Sequence, residues 1–189
     1  MAQKMNKGYR MLFLVVGLML LPVVLATALY FGGWQPPMAR PNGELLDPPH
    51  ALPFAFTTSS GEKLSAKALQ GQWHLVVAGA GACDAACLQL LDESRRIHVA
   101  LYKQMSRVSR LLLGDDIDIL RKDSQRLTQL QPDLIIAGIP REGYKEFDMA
   151  SPGHRIYLMD PDGRLVMRYP ADAPPKGILK DMERLLRFS

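Results

Sequence analysis

The sequence predicts one membrane-spanning helix followed by a single α/β domain, in which helices flank a mixed β-sheet. Three observations support this prediction. An uncharged apolar run lies near the amino terminus, at residues 11–34. Beyond it, short apolar runs typical of buried strands alternate with stretches of helical periodicity. Late in the chain, two apolar runs joined by a Pro- and Gly-containing turn predict a β-hairpin.

Residues 11–34 are long enough to cross a hydrocarbon core, which needs about 20 apolar residues. The tail at residues 1–10 carries three basic residues and no acidic one. We therefore expect a cytoplasmic tail, a single-pass anchor in the inner membrane and a carboxyl-terminal domain in the periplasm. A signal peptide cleaved after Ala28 is the alternative, because small residues end there in a pattern that a signal peptidase accepts.

The exported part carries no net charge, since residues 41–189 hold 19 Lys plus Arg and 19 Asp plus Glu. Nucleic acid is therefore not an expected partner. About 140 residues is an ordinary size for one hydrophobic core, and residues 52–189 are predicted to form one domain. The Pro-rich residues 35–51 predict a semi-extended spacer between membrane and domain.

The first elements of the domain follow from local patterns. Residues 52–58 and the turn after them predict a hairpin, and residues 65–69 predict a short helix that ends at Gly71. An apolar run over residues 73–80 predicts a buried strand. From Cys83 to about Val108, apolar residues recur at three- and four-residue steps, which predicts one long helix.

The remaining elements complete an alternation of strands and helices. Strands are predicted at residues 107–113 and 134–137, with a helix at residues 121–131 between them. The hairpin spans residues 155–169, and a final helix opens at Pro174 or Pro175. Strands alternating with helices, finished by a hairpin and a helix, describe a mixed sheet covered on both faces.

Cys83 and Cys87 are the only cysteines, and they stand at the predicted start of the long helix. Residues four apart on a helix share one face, so the sulfurs are close enough for a disulfide or for joint ligation of a soft metal ion such as Cu(I). The positive end of the helix dipole would favour a thiolate there. Thiol–disulfide exchange or copper chemistry is the leading hypothesis, and a structural disulfide is the alternative.

Two residues near this pair have simple structural interpretations. Asp84 is expected to cap the helix. His154 follows Gly153 and precedes a strand, so a surface or turn histidine is the simpler interpretation, although a loop could bring it to the cysteines. The sequence contains no Gly-rich phosphate loop, paired-carboxylate motif or serine nucleophile elbow.

Several motifs occur in a recognisable order after the apolar run: the step Gly71-Gln-Trp73 into a strand, the CxxxC of Cys83 and Cys87, and the late run Ile156–Gly163. This order resembles the Sco/SenC branch of thioredoxin-like proteins over roughly residues 52–187. The resemblance implies a thioredoxin-like fold and a membrane-tethered factor that helps assemble the copper centre of cytochrome c oxidase. An oxidase subunit or another assembly factor would then be the partner.

Cys83 and Cys87 would act in one of two ways in such a protein. In the redox version, Cys83 attacks a target disulfide and Cys87 resolves the mixed disulfide. In the copper version, both thiolates and one nitrogen ligand, for which His154 is the candidate, hold Cu(I). The chain departs from the Sco pattern, because neither cysteine is followed by Pro and the usual histidine register falls on Pro152. A non-catalytic interaction module with a structural or vestigial cysteine pair is therefore the alternative.

Overall fold

The computed structural model describes residues 7–32 and 41–188, which belong to two compact units, one within residues 1–40 and the other within residues 41–189. The first unit contains helix α1 (Lys7–Phe31), which is long and apolar enough to cross a membrane. This helix fits the predicted single-pass anchor. Trp34 and the first part of the predicted spacer, residues 35–40, lie outside the described residues.

One mixed sheet of eight strands forms the centre of the second unit, in the order β1-β8-β7-β4-β5-β6-β2-β3. The strands β4, β5 and β6 run parallel, and the other neighbouring pairs are antiparallel. This arrangement confirms the predicted mixed α/β sheet. The strands are β1 (Glu44–Ala51), β2 (Ala55–Thr58), β3 (Lys63–Ser65), β4 (Trp73–Gly79), β5 (Val108–Gly114), β6 (Leu134–Gly138), β7 (His154–Met159) and β8 (Arg164–Arg168).

The helices of this unit are α2 (Ala85–Ala100), α3 (Ile117–Leu130) and α4 (Pro175–Arg187). All three contribute apolar side chains to one core cluster, which includes Leu75 and Val77 of β4. The alternate residues of β4 face the other way, into a second cluster that Phe147 helps to close. Every residue of β4 is buried. The carboxyl end of this central strand is therefore a rigid base for the loop that carries the cysteines.

Residues 44–51 correct the predicted spacer of residues 35–51. They form β1, which pairs antiparallel with β8 at the edge of the sheet. A salt bridge of 2.7 Å between Glu44 and Arg168 joins the two strands. Proline is tolerated in an edge strand because one side of that strand makes no ladder hydrogen bonds, and β1 contains two prolines. The domain therefore begins before residue 52.

The predicted long helix from Cys83 to Val108 is wrong in its second half. Helix α2 ends at Ala100, and Tyr102 has a positive φ of 49°, which breaks the helical path. A 3₁₀ helix follows over Tyr102–Arg107, and its Met105, one of the residues of the apolar periodicity, is 41% exposed. The apolar periodicity continues through this break because the chain enters a buried strand directly afterwards.

Two smaller differences concern the region after β5. Helix α3 begins at Ile117 rather than at residue 121, because the Asp116 side chain accepts hydrogen bonds from the backbone N–H groups of Asp118 and Ile119. The segment 139–149, which the sequence pattern left without an element, contains a 3₁₀ turn and covers the second core cluster.

Candidate functional site

The candidate site lies beyond the carboxyl end of β4. This strand ends at Gly79, a short loop follows, and α2 begins at Ala85, so Cys83 precedes the helix and Cys87 lies in its first turn. The strands β4 and β5 are parallel neighbours, and Gly79 pairs with Gly114. Their following loops therefore lie at the same edge of the sheet, as at the ligand-binding edge of open α/β sheets.

Cys83 and Cys87 form a disulfide with their Cα atoms 5.1 Å apart. Cys87 is completely buried in the first core cluster, whereas Cys83 is partly exposed and packs against it. A thiol or thiolate from outside can therefore approach the pair through Cys83 more readily than through Cys87. This asymmetry supports the predicted order of attack, with Cys83 first and Cys87 second.

Asp84 caps α2, as predicted. Its carboxylate Oδ1 accepts a hydrogen bond of 3.0 Å from the backbone N–H of Cys87. The cap changes one expectation drawn from the sequence. A negative charge now occupies the helix end whose positive dipole was expected to favour a thiolate.

The loop before Cys83 is held by a contact that the sequence did not reveal. The backbone N–H of Gly81 donates a hydrogen bond of 2.8 Å to Oδ1 of Asp115, which lies in the loop after β5. The hydroxyl of Tyr144 donates to the backbone carbonyl of Asp115 at 2.7 Å. Gly81 has a φ of +84°, a conformation that favours glycine. Asp115 thus links the loop before Cys83, the end of β5 and the segment 139–149, which covers the second core cluster.

His154 is the first residue of β7 and pairs with Gly79, so it lies at the same edge of the sheet as the cysteine loop. The simpler interpretation, a surface or turn histidine, is wrong, because the residue is only 5% exposed and its Nε2 has no hydrogen-bond partner among the residues that the structure describes. Burial lowers the pKa of His154, while the negative charges of Asp84 and Asp115 oppose this effect. The ring is therefore neutral at pH 7.

Glycine at position 79 allows this close packing. A Cβ atom there would lie 2.6 Å from Cγ of His154 and 2.7 Å from the carbonyl oxygen of Gly153. These distances are too short for any side chain to fit without moving the backbone. The Gly79 contact therefore fixes His154 beside the loop that begins at Ala80.

The donor atoms at this site suit Cu(I) once the cysteines are reduced. Two thiolates are soft ligands, and a neutral imidazole is a common copper ligand. The buried Nε2 of His154 accepts no hydrogen bond from, and donates none to, any residue in 7–32 or 41–188, which fits a ligand role. With the disulfide formed, no cluster of three or more His, Cys, Asp or Glu side chains able to hold a metal occurs in residues 7–32 and 41–188. Copper binding by the cysteines therefore requires the reduced pair.

Comparison with solved structures shows the fold. The chain is 20% identical to the apo Sco1 protein of Thermus thermophilus, covering 79% of this chain and 99% of that one, with a TM-score of 0.63. It is 18% identical to yeast Sco1 with copper bound, over 74% and 90% of the two chains, with a TM-score of 0.60. A third match is BsSco, which is described as having a disulfide switch and as a member of the Sco family of cytochrome c oxidase assembly proteins. The identity is 16%, the match covers 78% of this chain and 98% of that one, and the TM-score is 0.58.

These similarities confirm the predicted thioredoxin-like, Sco-type fold, and the low identities fit a diverged sequence. A search of curated proteins found no match. A family model described as the transmembrane-like, thioredoxin-like, C-terminal domain matches residues 73–189, which include both cysteines and His154. The match spans more than half of the sequence, and the chain therefore belongs to this transmembrane-like, thioredoxin-like family.

Proposed function

We propose that this protein is a membrane-anchored, outward-facing factor that assists assembly of the copper site of cytochrome c oxidase by thiol–disulfide exchange through Cys83 and Cys87. The observation that carries the proposal is the pairing of a partly exposed Cys83 with a buried Cys87 beyond the end of the central strand. The similarity to BsSco, whose description names a disulfide switch and oxidase assembly, supports it.

The exchange reaction uses the two cysteines in sequence. In the reduced protein, the Cys83 thiolate attacks one sulfur of a target disulfide and forms a mixed disulfide, and one target thiol leaves. Cys87 then attacks the Cys83 sulfur, which releases the second target thiol and forms the Cys83–Cys87 bond. Two electrons and two protons pass to the target. Because Cys87 is buried, it reacts in this intramolecular step and not directly with the target.

The orientation of the chain follows from its charge. The basic residues within positions 1–10 keep the amino terminus in the cytoplasm, α1 anchors the chain in the inner membrane, and the cysteines face the periplasm. Tethering to the membrane suits a partner that is also held there, because it raises the local concentration of the two proteins. A cytochrome c oxidase subunit or another assembly factor is such a partner.

Cys87→Ser is expected to trap a mixed disulfide between Cys83 and the target in cells, because the resolving thiol is gone while the attacking one remains. The adduct is detected as a reductant-sensitive band of higher mass, and its partner is identified by mass spectrometry. Cys83→Ser is the matched control and should trap no partner, since Cys87 is buried.

The identity of the partner tests the rest of the proposal. A membrane-held or exported partner with a cysteine pair is expected, and adducts with cytoplasmic proteins alone would contradict the orientation. If neither variant forms an adduct and both support oxidase assembly like the wild type, the pair is structural or vestigial. The protein is then the non-catalytic interaction module, which the missing prolines after Cys83 and Cys87 favour.

Cu(I) handling is the second part of the proposal, and it uses the same reduced cysteines. Yeast Sco1, one of the similar structures, is described with copper bound.

Competition with a Cu(I) chelator should show that Cys83→Ser abolishes binding. His154→Ala should weaken it about tenfold or more, since one nitrogen ligand is lost. His50→Ala, at a partly exposed histidine paired with Glu146, is the control and should bind like the wild type. Equal affinities of wild type and His154→Ala for Cu(I) would show that His154 is not a copper ligand and that the sulfurs bind the ion.

A further inference from the structure

The end of the α/β domain that lies away from the cysteines carries most of its exposed apolar side chains. Within residues 41–188, Leu45 is the one large apolar side chain exposed elsewhere, in β1. The others lie at or just beyond the carboxyl ends of α2, α3 and α4: Val99, Tyr102, Met105, Leu130 and Phe188. This end is opposite the cysteines, because Val108, which follows the 3₁₀ helix, pairs with Trp73 at the start of β4.

Hydrogen bonds join these three helix ends into one surface. Nη1 of Arg95 in α2 donates to the carbonyl oxygen of Leu130 in α3 at 3.2 Å. Nη1 of Arg107 in the 3₁₀ helix donates to the carbonyl oxygen of Leu186 in α4 at 2.9 Å. The exposed apolar residues therefore belong to one continuous end of the domain.

Positive charge is concentrated at the same end. Residues 92–110 and 183–188 hold seven Lys plus Arg and three Asp plus Glu, although residues 41–189 as a whole have no net charge. Of the carboxylates here, Asp92 pairs with Arg96 at 2.6 Å and Asp133 pairs with the buried Arg110 at 3.0 Å. We call the five apolar residues and the exposed basic ones among them the end patch; the basic ones are Arg95, Lys103, Arg107 and Arg187.

The composition of the end patch fits an anionic lipid surface. Peripheral membrane contacts combine basic side chains, which attract anionic headgroups, with aromatic and aliphatic side chains that enter the interface. Tyr102 and Phe188, 79% and 86% exposed, are side chains of this kind. A second copy of the chain fits less well, because a symmetric contact would bring two positively charged patches together.

The link to α1 keeps a membrane within reach of the end patch. Residues 32–42 can span at most about 36 Å. Asn42 lies beside α4, where its backbone N–H donates to Oδ2 of Asp181 at 2.7 Å and its Nδ2 donates to the carbonyl oxygen of Gly177 at 3.2 Å. From Gly177 to Phe188 the chain rises only about 16 Å. A tether of this length raises the local concentration of lipid at the domain.

We propose that the end patch binds anionic lipid headgroups of the membrane that α1 crosses, so that the cysteine edge of the sheet faces away from that membrane. Cys83 then points toward the exported part of a membrane-held partner, at a distance from the lipid set by α2, which is about 24 Å long. The proposal does not depend on thiol exchange. It adds an orientation to the proposed function.

The test compares the acylation rates of two lysines in the oxidised full chain, reconstituted in nanodiscs of phosphatidylcholine with and without phosphatidylglycerol. Acetic anhydride is the reagent, and modified peptides are counted by mass spectrometry. Lys103 lies in the end patch. Lys63 is the internal control, because it is exposed and pairs with Thr57, which pairs with Gly138 at the cysteine edge. We expect phosphatidylglycerol to slow acylation of Lys103 about fivefold or more and that of Lys63 less than twofold.

A variant without two of the apolar side chains tests the end patch itself. Val99→Gln combined with Tyr102→Asn should reduce the effect of phosphatidylglycerol on Lys103 to less than twofold. Both side chains are exposed, and Asn tolerates the positive φ of 49° at position 102, so the fold should be kept. Leu45→Gln, which removes the exposed apolar residue of β1, is the matched control and should leave the fivefold effect unchanged.

Three results would overturn the proposal. Equal rates for Lys103 in the two lipid mixtures would leave an acidic protein as the better partner for the end patch. Equal slowing of Lys63 would show that the lipid does not select one end of the domain. Full protection of Lys103 in the double variant would show that the apolar residues do not take part. Because no thiol reacts in this assay, its failure leaves the trapped adduct with Cys83 unaffected, and the two proposals are tested separately.

Discussion

Arg110→Ala is expected to destabilise the α/β domain by about 3–5 kcal/mol, because each buried hydrogen-bond acceptor left without a donor costs about 1–3 kcal/mol and the lost side chain leaves a cavity. Arg110 lies in β5 and is completely buried. Its guanidinium donates to the carboxylate of Asp133 at 3.0 and 3.2 Å, to Oγ of Ser94 at 2.8 and 3.1 Å, and to the carbonyl oxygen of Leu91 at 2.7 Å. It also donates to Oε1 of Gln131. The truncation leaves these acceptors without their donor and opens a cavity.

The position of Arg110 makes this loss important for the site. Ser94 and Leu91 belong to α2, so the guanidinium joins the helix that carries Cys87 to the central sheet. Unfolding of the full chain in detergent, followed by circular dichroism in urea, measures the effect. Asp133→Asn is the control and should cost less than Arg110→Ala, because Asp133 is partly exposed and water can replace its bond. A loss below about 1 kcal/mol for Arg110→Ala would contradict the structural role of this network.

Gly79→Ala is expected to destabilise the domain by about 1–3 kcal/mol, as overpacking of a well-packed interior does. The added Cβ would meet backbone atoms of Gly153 and His154 as well as the His154 ring, at 2.6 to 2.7 Å. The start of β7 must therefore move away from β4. Because the cysteine loop begins at the next residue, the rate of thiol exchange should also fall.

Gly114→Ala is a matched control for this substitution. Gly114 is the last residue of β5 and pairs with Gly79, so both glycines end neighbouring parallel strands. The three atoms nearest to its added Cβ all belong to the side chain of Leu120, and a side chain can shift at a lower cost than backbone. Thermal unfolding and exchange rates of the two variants should therefore differ, with the larger losses in Gly79→Ala. Equal losses would show that the contact between Gly79 and His154 has no special role.

The parts of the fold that the sequence predicts well are those with strong local signals. The apolar run at residues 73–80 became β4, the turn at residues 160–163 joins β7 and β8, and Pro175 begins α4. Each signal resides in a few consecutive residues. The position of the cysteine pair follows directly, because a strand leads into a helix there and Asp84 is a common cap.

The sequence does not predict other parts of the fold, because tertiary contacts there override the local pattern. The Pro-rich residues 44–51 look like a spacer, yet pairing with β8 makes them a strand. At Tyr102, a residue in a left-handed conformation ends α2 without the Gly or Pro that usually marks such a break.

At the candidate site too, the sequence predicts some features and not others. Cys83 and Cys87 are recognisable from their spacing, but Asp115 contacts Gly81 across 34 residues of chain, and no local pattern encodes that contact. The interpretation of His154 as a surface or turn histidine is wrong for a similar reason. Its burial depends on its register opposite Gly79 in an antiparallel pair, and sequence spacing does not fix that register.

Electron transfer from the reduced pair to a target disulfide tests the proposed exchange most directly. The fully reduced chain is mixed with a disulfide-bonded peptide that carries the cysteine pair of an oxidase copper site, and thiol-labelled products are counted by mass spectrometry. We expect one Cys83–Cys87 disulfide to form for each peptide disulfide that is reduced, and Cys83→Ser to give no net peptide reduction. Peptide reduction at the same rate and yield in Cys83→Ser, or a wild-type pair that stays reduced beside an oxidised peptide, would contradict it.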